Sequence, residues 1–135
     1  MTFAALALDK RTGWIGRAAA TRNLAVGAWV LHAAPIATLG YSVSSPSGDE
    51  ALSRLKDGEP AQAIVSALID QDTGRDHRQR AVLDKEMRSA AWTGERNTDC
   101  KGHLPGENSI AVGNWLSSLD VLHEMKRTFE DPFRC

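Results

Sequence analysis

The sequence predicts an α+β fold built on largely antiparallel strands, and three observations carry that expectation. Strand-length apolar runs follow one another without helical patterns between them, which argues for antiparallel pairing over a doubly wound parallel sheet. The first run, "TFAALAL", is apolar at nearly every position, as suits a strand covered on both faces. Helical periodicity is confined to two segments in mid-chain and one at the end. A sheet with helices on one face and a second sheet on the other supplies the cover such strands need.

The elements follow in order. After "TFAALAL", "DKRTG" provides turn chemistry and "WIGRAAA" a second strand, so the pair reads as a hairpin. "RNLAVGAWVLHAAP" stays open between a loop with a short strand and a helical turn, and "IATLGYSV" reads as a third strand. Buried helix is the alternative for these alanine-rich runs; their glycines and short spacing favour strands. In "SPSGDEALSRLKDG", Ser47 and Glu50 have capping-box spacing, Leu52 and Leu55 form the buried stripe, and Gly58 closes the helix. In "EPAQAIVSALID", Pro60 fits the first turn, and Ala61, Ile64, Val65 and Leu68 recur at helical spacing. "RQRAVLD" and "MRSAAWTG" are two strands joined near Asp84 and Lys85. The glycine-rich stretch from Gly94 to Trp115 reads as a long loop containing only the strand "NSIAVGN". "SLDVLHEMKRTF" places Leu119, Leu122, Met125 and Phe129 on one helical face. The predicted order is ββ(β)ααβββα, one domain over residues 1–135.

Composition narrows the function classes. An apolar fraction of 42% and a charged fraction of 24% are those of an ordinary soluble domain. A net charge of −1 offers no footprint for nucleic acid or an anionic membrane. The opening "MTFAALALDKR" is neither a signal peptide nor a membrane span, and two cysteines, Cys100 and Cys135, make a structural disulfide unexpected. The expected compartment is the cytoplasm.

Several candidate sites fall away. His77 and His123 read as solvated residues. Cys100 and His103 have C-x-x-H spacing, but without a second pair zinc is not expected. "DQDTGRD" resembles a calcium loop, yet its glycine comes one place early and the closing glutamate is missing. No P-loop, dinucleotide fingerprint or G-x-S-x-G elbow is present. What remains is the start of the chain. Thr2 is small enough to allow removal of Met1, which would leave an α-amine beside the threonine's own hydroxyl as base and nucleophile on one residue. The plain alternative is a β-branched residue that begins a strand. With Met1 attached, Thr2 has no free amine.

Two ordered blocks are similar to the bacterial and archaeal family known as domain of unknown function 1028. The run from Gly16 to Gly27 matches its first block through Thr21, Arg22, Ala25, Val26 and Gly27. Thr93, Gly94, Gly102, His103, Gly106, Gly113, Asn114 and Leu116 match the second, so the resemblance covers nearly the whole chain. It implies an αββα sandwich like that of the N-terminal nucleophile hydrolases, which cleave amide bonds. Members of the family usually continue past the helix that ends here near Glu130. The expectation is therefore a shortened sandwich, or one completed by a partner chain as a dimer or higher oligomer. "AWVLHAAP" departs from the family pattern, so His32 inherits no role.

Two function classes follow. In the first, a small-molecule amidohydrolase, Thr2 is the nucleophile and Asn114 an oxyanion donor. Arg22 binds a substrate carboxylate, while His103 and Gly102 line the substrate site. No cofactor or metal is implied. Each residue has a structural alternative: Arg22 on the surface, Asn114 capping a turn, His103 tying the loop together. In the second class, the chain is a non-catalytic ligand-binding or assembly protein that keeps part of the fold.

Overall fold

The run from Thr2 to Leu8 forms β1, and β2 (Ile15–Thr21) returns beside it. The turn between them is held as its sequence implied. The Asp9 carboxylate accepts hydrogen bonds from the Arg11 amide and the Thr12 hydroxyl, both at 2.8 Å, and Gly13 takes the left-handed conformation at φ 71°. The structure is a computed structural model that describes residues 1–22, 31–34, 37–42 and 47–131. Strands β3 (Leu31–Ala34) and β4 (Ala37–Ser42) follow, so the ambiguous segment contains a short strand; the rest of it lies outside the described residues. Helices α1 (Ser47–Lys56) and α2 (Ala61–Asp70) precede β5 (Gln79–Asp84), β6 (Ser89–Thr93), β7 (Gly102–Pro105), β8 (Ser109–Asn114) and α3 (Asp120–Glu130).

Among the described residues every strand pairing is antiparallel, in two four-stranded sheets ordered β2-β1-β8-β7 and β3-β4-β5-β6. Side-chain alternation sends Ala4, Leu6 and Leu8 of β1, Ile110 and Val112 of β8, and Ala81 and Leu83 of β5 into one shared core between the sheets. On the outer face of the second sheet, Val82 and Ala90 meet Ala51 and Leu55 of α1 and Ala61, Ile64, Val65 and Leu68 of α2. On the outer face of the first, Ala111 meets Leu116 and Leu122, with Phe3, Leu104, Val121 and Met125 around them. The described residues thus stack as helix pair, sheet, sheet, helix. The sheets are apolar on both faces because each face has a layer to meet.

Four expectations are corrected. The stretch from Gly94 to Trp115 is not all loop: β7 lies inside it, paired with β8 from Gly102–Gly113 to Pro105–Ile110. Pro60 sits one place before the first helical turn of α2, with φ −65° and ψ 144°, and its carbonyl accepts the Ile64 amide. In α3 the packed residues are Leu122, Val121 and Met125. Leu119 precedes the helix at 49% exposure and Phe129 is 43% exposed, so neither belongs to the stripe. In α1, Ala51 and Leu55 are buried and Leu52 is only partly covered. The Ser47 side chain lies outside the described residues, and Glu50 accepts a 3.0 Å hydrogen bond from Arg54 Nε.

Candidate functional site

Strand register brings the candidate residues to one end of the layer between the sheets. Thr2 pairs with Thr21 on one side and with Asn114 on the other. Alternation puts Thr2 on the face of Ala4 and Leu6, Asn114 on that of Ile110 and Val112, and Gln79 on that of Ala81 and Leu83. His103 pairs with Val112, and Thr93 follows Ala91 two places on, so both face the same layer. The layer is apolar through its centre and polar at this end.

The polar end holds a threonine pair and, beside it, a hydrogen-bonded network centred on Gln79. The Thr2 and Thr21 hydroxyls lie 2.8 Å apart. Asn114 Nδ2 donates to Gln79 Oε1 at 3.2 Å. Gln79 Nε2 reaches the Gly102 carbonyl at 2.8 Å, Thr93 Oγ1 at 2.9 Å and the Gly113 carbonyl at 3.0 Å. Thr93 Oγ1 in turn lies 2.9 Å from His103 Nδ1. Gln79 is 2% exposed and sits in the second sheet, while its partners Gly102, Gly113 and Asn114 belong to the first. One buried carboxamide therefore pins the two sheets together at this end. Buried amides are retained where every polar atom finds a partner.

The predicted residues do not all meet. Asn114 does not cap α3: its side chain donates to Gln79, and the Asp120 amide that opens the helix donates to the Ser118 hydroxyl at 3.1 Å. Gly102 joins the network through its carbonyl alone, because a Cβ there would point at Leu119 and Leu122 of α3, at an ordinary 3.5 Å. Gly106 lies at the far end of β7, in the turn to Ser109, away from Thr2. Cys100 packs with the α3 cluster, on the side of the sheet opposite His103, so the C-x-x-H pair is not assembled. Among the described residues no group of three potential ligands could hold a metal ion. The Asp72 carboxylate, at the centre of the rejected calcium loop, is bound by the Gly74 amide, Arg78 and Arg80. His32 lies in β3, opposite Leu39.

Register also sets the distance between Thr2 and His103. They are two strands apart laterally and two residues apart lengthwise, about 12 Å at ordinary strand spacings. His103 is thus out of hydrogen-bonding reach of the Thr2 hydroxyl. More than a third of the residue is exposed, yet its ring end rests against Thr93, and desolvation lowers its pKa from the usual histidine value.

Beyond the end of β1 two flanking residues meet. The Arg22 guanidinium lies 3.9 Å from the centre of the Trp115 ring. Arg22 follows the residue paired with Thr2 on β2, and Trp115 follows the one paired with it on β8. The two side chains therefore close across the chain's amino end. Trp115 holds φ 53°, a left-handed conformation rare for a bulky residue. The Met1 amine has its pKa lowered by desolvation and by the Arg22 charge. Two grooves open elsewhere on the α3 side of the first sheet, one beside Leu104 and His123, the other between Trp14, Ile15 and Phe129.

Gln79 and Trp115 were not singled out in the sequence. The signal for Gln79 was the alternation in "QRAVLD", which places it on the face of Ala81 and Leu83, a polar residue at the buried end of an apolar stripe. Trp115 carried none, since a left-handed backbone at tryptophan has no sequence mark.

The model of a family of unknown function, DUF1028, matches residues 2–134. A crystal structure of a Silicibacter pomeroyi protein assigned to that same family superimposes with a TM-score of 0.92 at 39% sequence identity. The match covers 96% of this chain and 62% of that one, so this chain spans less than two-thirds of the neighbour's length. No curated protein matches. No helix among the described residues is long and apolar enough to cross a membrane.

Proposed function

This chain belongs to the family of unknown function DUF1028, and on that premise we propose that it is a hydrolase of the N-terminal nucleophile type acting on an amide bond of a small molecule. The observation that carries the reading is the placement of Thr2. It opens β1 at the polar end of the inter-sheet layer, between Thr21 and Asn114, with Arg22 at its border. The order helix pair, sheet, sheet, helix agrees with the αββα layering that the resemblance to N-terminal nucleophile hydrolases implies.

The chemistry follows from that placement. Removal of Met1 leaves the Thr2 α-amine free. The amine takes the proton of Oγ1 as the oxygen attacks the amide carbon, then returns it to the leaving nitrogen as the C–N bond breaks. Water hydrolyses the resulting ester by the same proton route and restores Thr2. Asn114 Nδ2 has two hydrogens and spends one on Gln79, which leaves one for the oxyanion. The Arg22 charge beside a free amine favours its unprotonated form, the sign seen at Met1, and its planar fork suits a substrate carboxylate. No cofactor enters. Nothing in this scheme calls for nucleic acid or membrane. The substrate side offers Arg22, His103 and the Gly102 carbonyl's neighbourhood.

The test is hydrolysis of a panel of small amides by protein whose intact mass shows Met1 removed. Thr2→Ala should lose turnover by at least about 10³-fold while melting within a few degrees of wild type, and Thr2→Ser should retain activity. Turnover by Thr2→Ala near the wild-type rate would sink the mechanism. A second reading, a non-catalytic ligand-binding or assembly protein, is favoured by the fact that Thr2 and Asn114 already have protein partners. Full retention of Met1 in the native host would decide for it.

A further inference from the structure

The hydrogen bonds around Gln79 fix more than geometry. Its Nε2 faces two backbone carbonyls, Gly102 at 2.8 Å and Gly113 at 3.0 Å, which only accept. The amide must therefore point its NH2 group that way, and its orientation is not interchangeable. The same Nε2 lies 2.9 Å from Thr93 Oγ1. The two hydrogens of Nε2 are shared among these three oxygens, and because an amide nitrogen cannot accept, the Thr93 hydroxyl cannot donate its hydrogen to it. The single hydroxyl hydrogen of Thr93 is then left for its other neighbour, His103 Nδ1 at 2.9 Å. When Nδ1 accepts that hydrogen it is unprotonated, and the ring proton of His103 sits on Nε2, the atom turned away from Thr93.

We propose that Gln79 and Thr93 are positioning residues that hold His103 in its Nε2–H tautomer, so that His103 meets a ligand carbonyl or carboxylate oxygen as a neutral hydrogen-bond donor. This deepens the hydrolase reading and rests on it for the ligand, which reacts about 12 Å away at Thr2 by strand spacing. The tautomer rests on the hydrogen-bond network and not on the hydrolase reading. His103 is therefore a recognition group for the far end of a substrate and takes no proton in the reaction. The desolvation that lowers its pKa works in the same direction, by disfavouring the imidazolium that would need Nδ1 to donate.

The experiment is nitrogen NMR of the full chain with ¹⁵N-labelled histidine at neutral pH, with His103 assigned by its loss in His103→Gln. The expected spectrum shows His103 as one fixed tautomer, with Nδ1 bare and Nε2 carrying hydrogen. In Thr93→Val it should become an averaged mixture of tautomers. In Gln79→Glu the carboxylate accepts from Thr93, and the proton should move to His103 Nδ1. Protonated Nδ1 in the wild type, or an unchanged fixed tautomer in Thr93→Val, overturns the proposal whether or not Gln79→Glu folds. These spectra need no substrate, so an absence of hydrolysis sinks the hydrolase reading and leaves the tautomer standing. For the ligand, acetylated peptides of one to four residues are added to Thr2→Ala protein. A shift at His103 Nε2 with weaker binding in His103→Leu, by about tenfold for one lost hydrogen bond, supports the donor role. Peptide binding that is equal in His103→Leu, or no shift with any peptide, overturns it.

Discussion

Gly94 shows how a single residue is held by its neighbours. A Cβ there would run into the carbonyl oxygens of Arg75 and Asp76, which are backbone atoms in a tight turn and cannot swing aside. Its amide donates to the Arg78 carbonyl at 2.8 Å. Gly94→Ala should therefore cost about 1–3 kcal/mol in denaturant unfolding, the range for forced overpacking. Asp72 supplies a second residue-scale test. Burial alone would raise its pKa, but the Gly74 amide and the charges of Arg80 and Arg78 outweigh it, and the net shift is downward. A carboxylate depressed in the folded state adds stability above its unfolded pKa and loses it as pH falls through the folded value. The melting temperature should drop through the acid limb below about pH 4. Asp72→Asn should flatten that limb and cost about 3 kcal/mol at neutral pH, because Arg80, 1% exposed, loses its ion pair with the Asp72 carboxylate. An equal acid limb in the variant would show that the carboxylate carries none of it. In the sequence, Thr2, Arg22, Asn114 and His103 could be singled out by chemistry and family pattern. Gly94 was noticed only as a matched position, and its physical reason, a turn pressed against the end of β6, is a long-range contact that no local pattern encodes.

At the scale of elements, long periodic runs mark their structure in the sequence and short ones do not. Strands β1, β5, β6 and β8 and the buried face of α2 are legible because five to seven residues, or three helical turns, repeat a pattern. Four-residue β7 offers only Gly102, His103, Leu104 and Pro105, flanked by loop residues, and its strand state comes from pairing with β8. The α3 stripe misplaced Leu119 and Phe129 because apolar spacing does not say where a helix leaves its sheet. That helix hangs on one fully buried residue, Leu122 at 3% exposure, with Val121 and Met125 beside it. Leu122→Ala should cost about 2–5 kcal/mol. It should also release amide protection in α3 before the rest of the chain by hydrogen exchange. Uniform loss across all elements would mean that α3 does not open by itself.

Among the described residues, the outer face of the first sheet is left partly uncovered at β2. Helix α3 lies over β7 and β8, while Gly16, Ala18 and Ala20 on the outer face of β2 are exposed and Trp14 is 79% exposed. Such a surface favours association, and the expected state is at least a dimer. Light scattering at micromolar concentration tests this, and a clean monomer would refute it. The layering itself was the most legible global property, since apolar character on both faces of β1 requires cover on both sides.

The Arg22–Trp115 contact gives the candidate site an optical property. The guanidinium rests on the indole face 3.9 Å from its centre, and the ring is 48% exposed to water. A carboxylate can pair with the in-plane N–H groups of Arg22 while the cation stays on the ring, because stacking on indole leaves those edges free, and the pair places an anion beside Trp115 and weakens the charge felt by the ring. The emission of Trp115 should then change as the site fills. The difference between wild-type protein and Trp115→Phe isolates that signal from the other three tryptophans. Occupancy beside Thr2 thereby becomes visible as light, even for a ligand that is never cleaved.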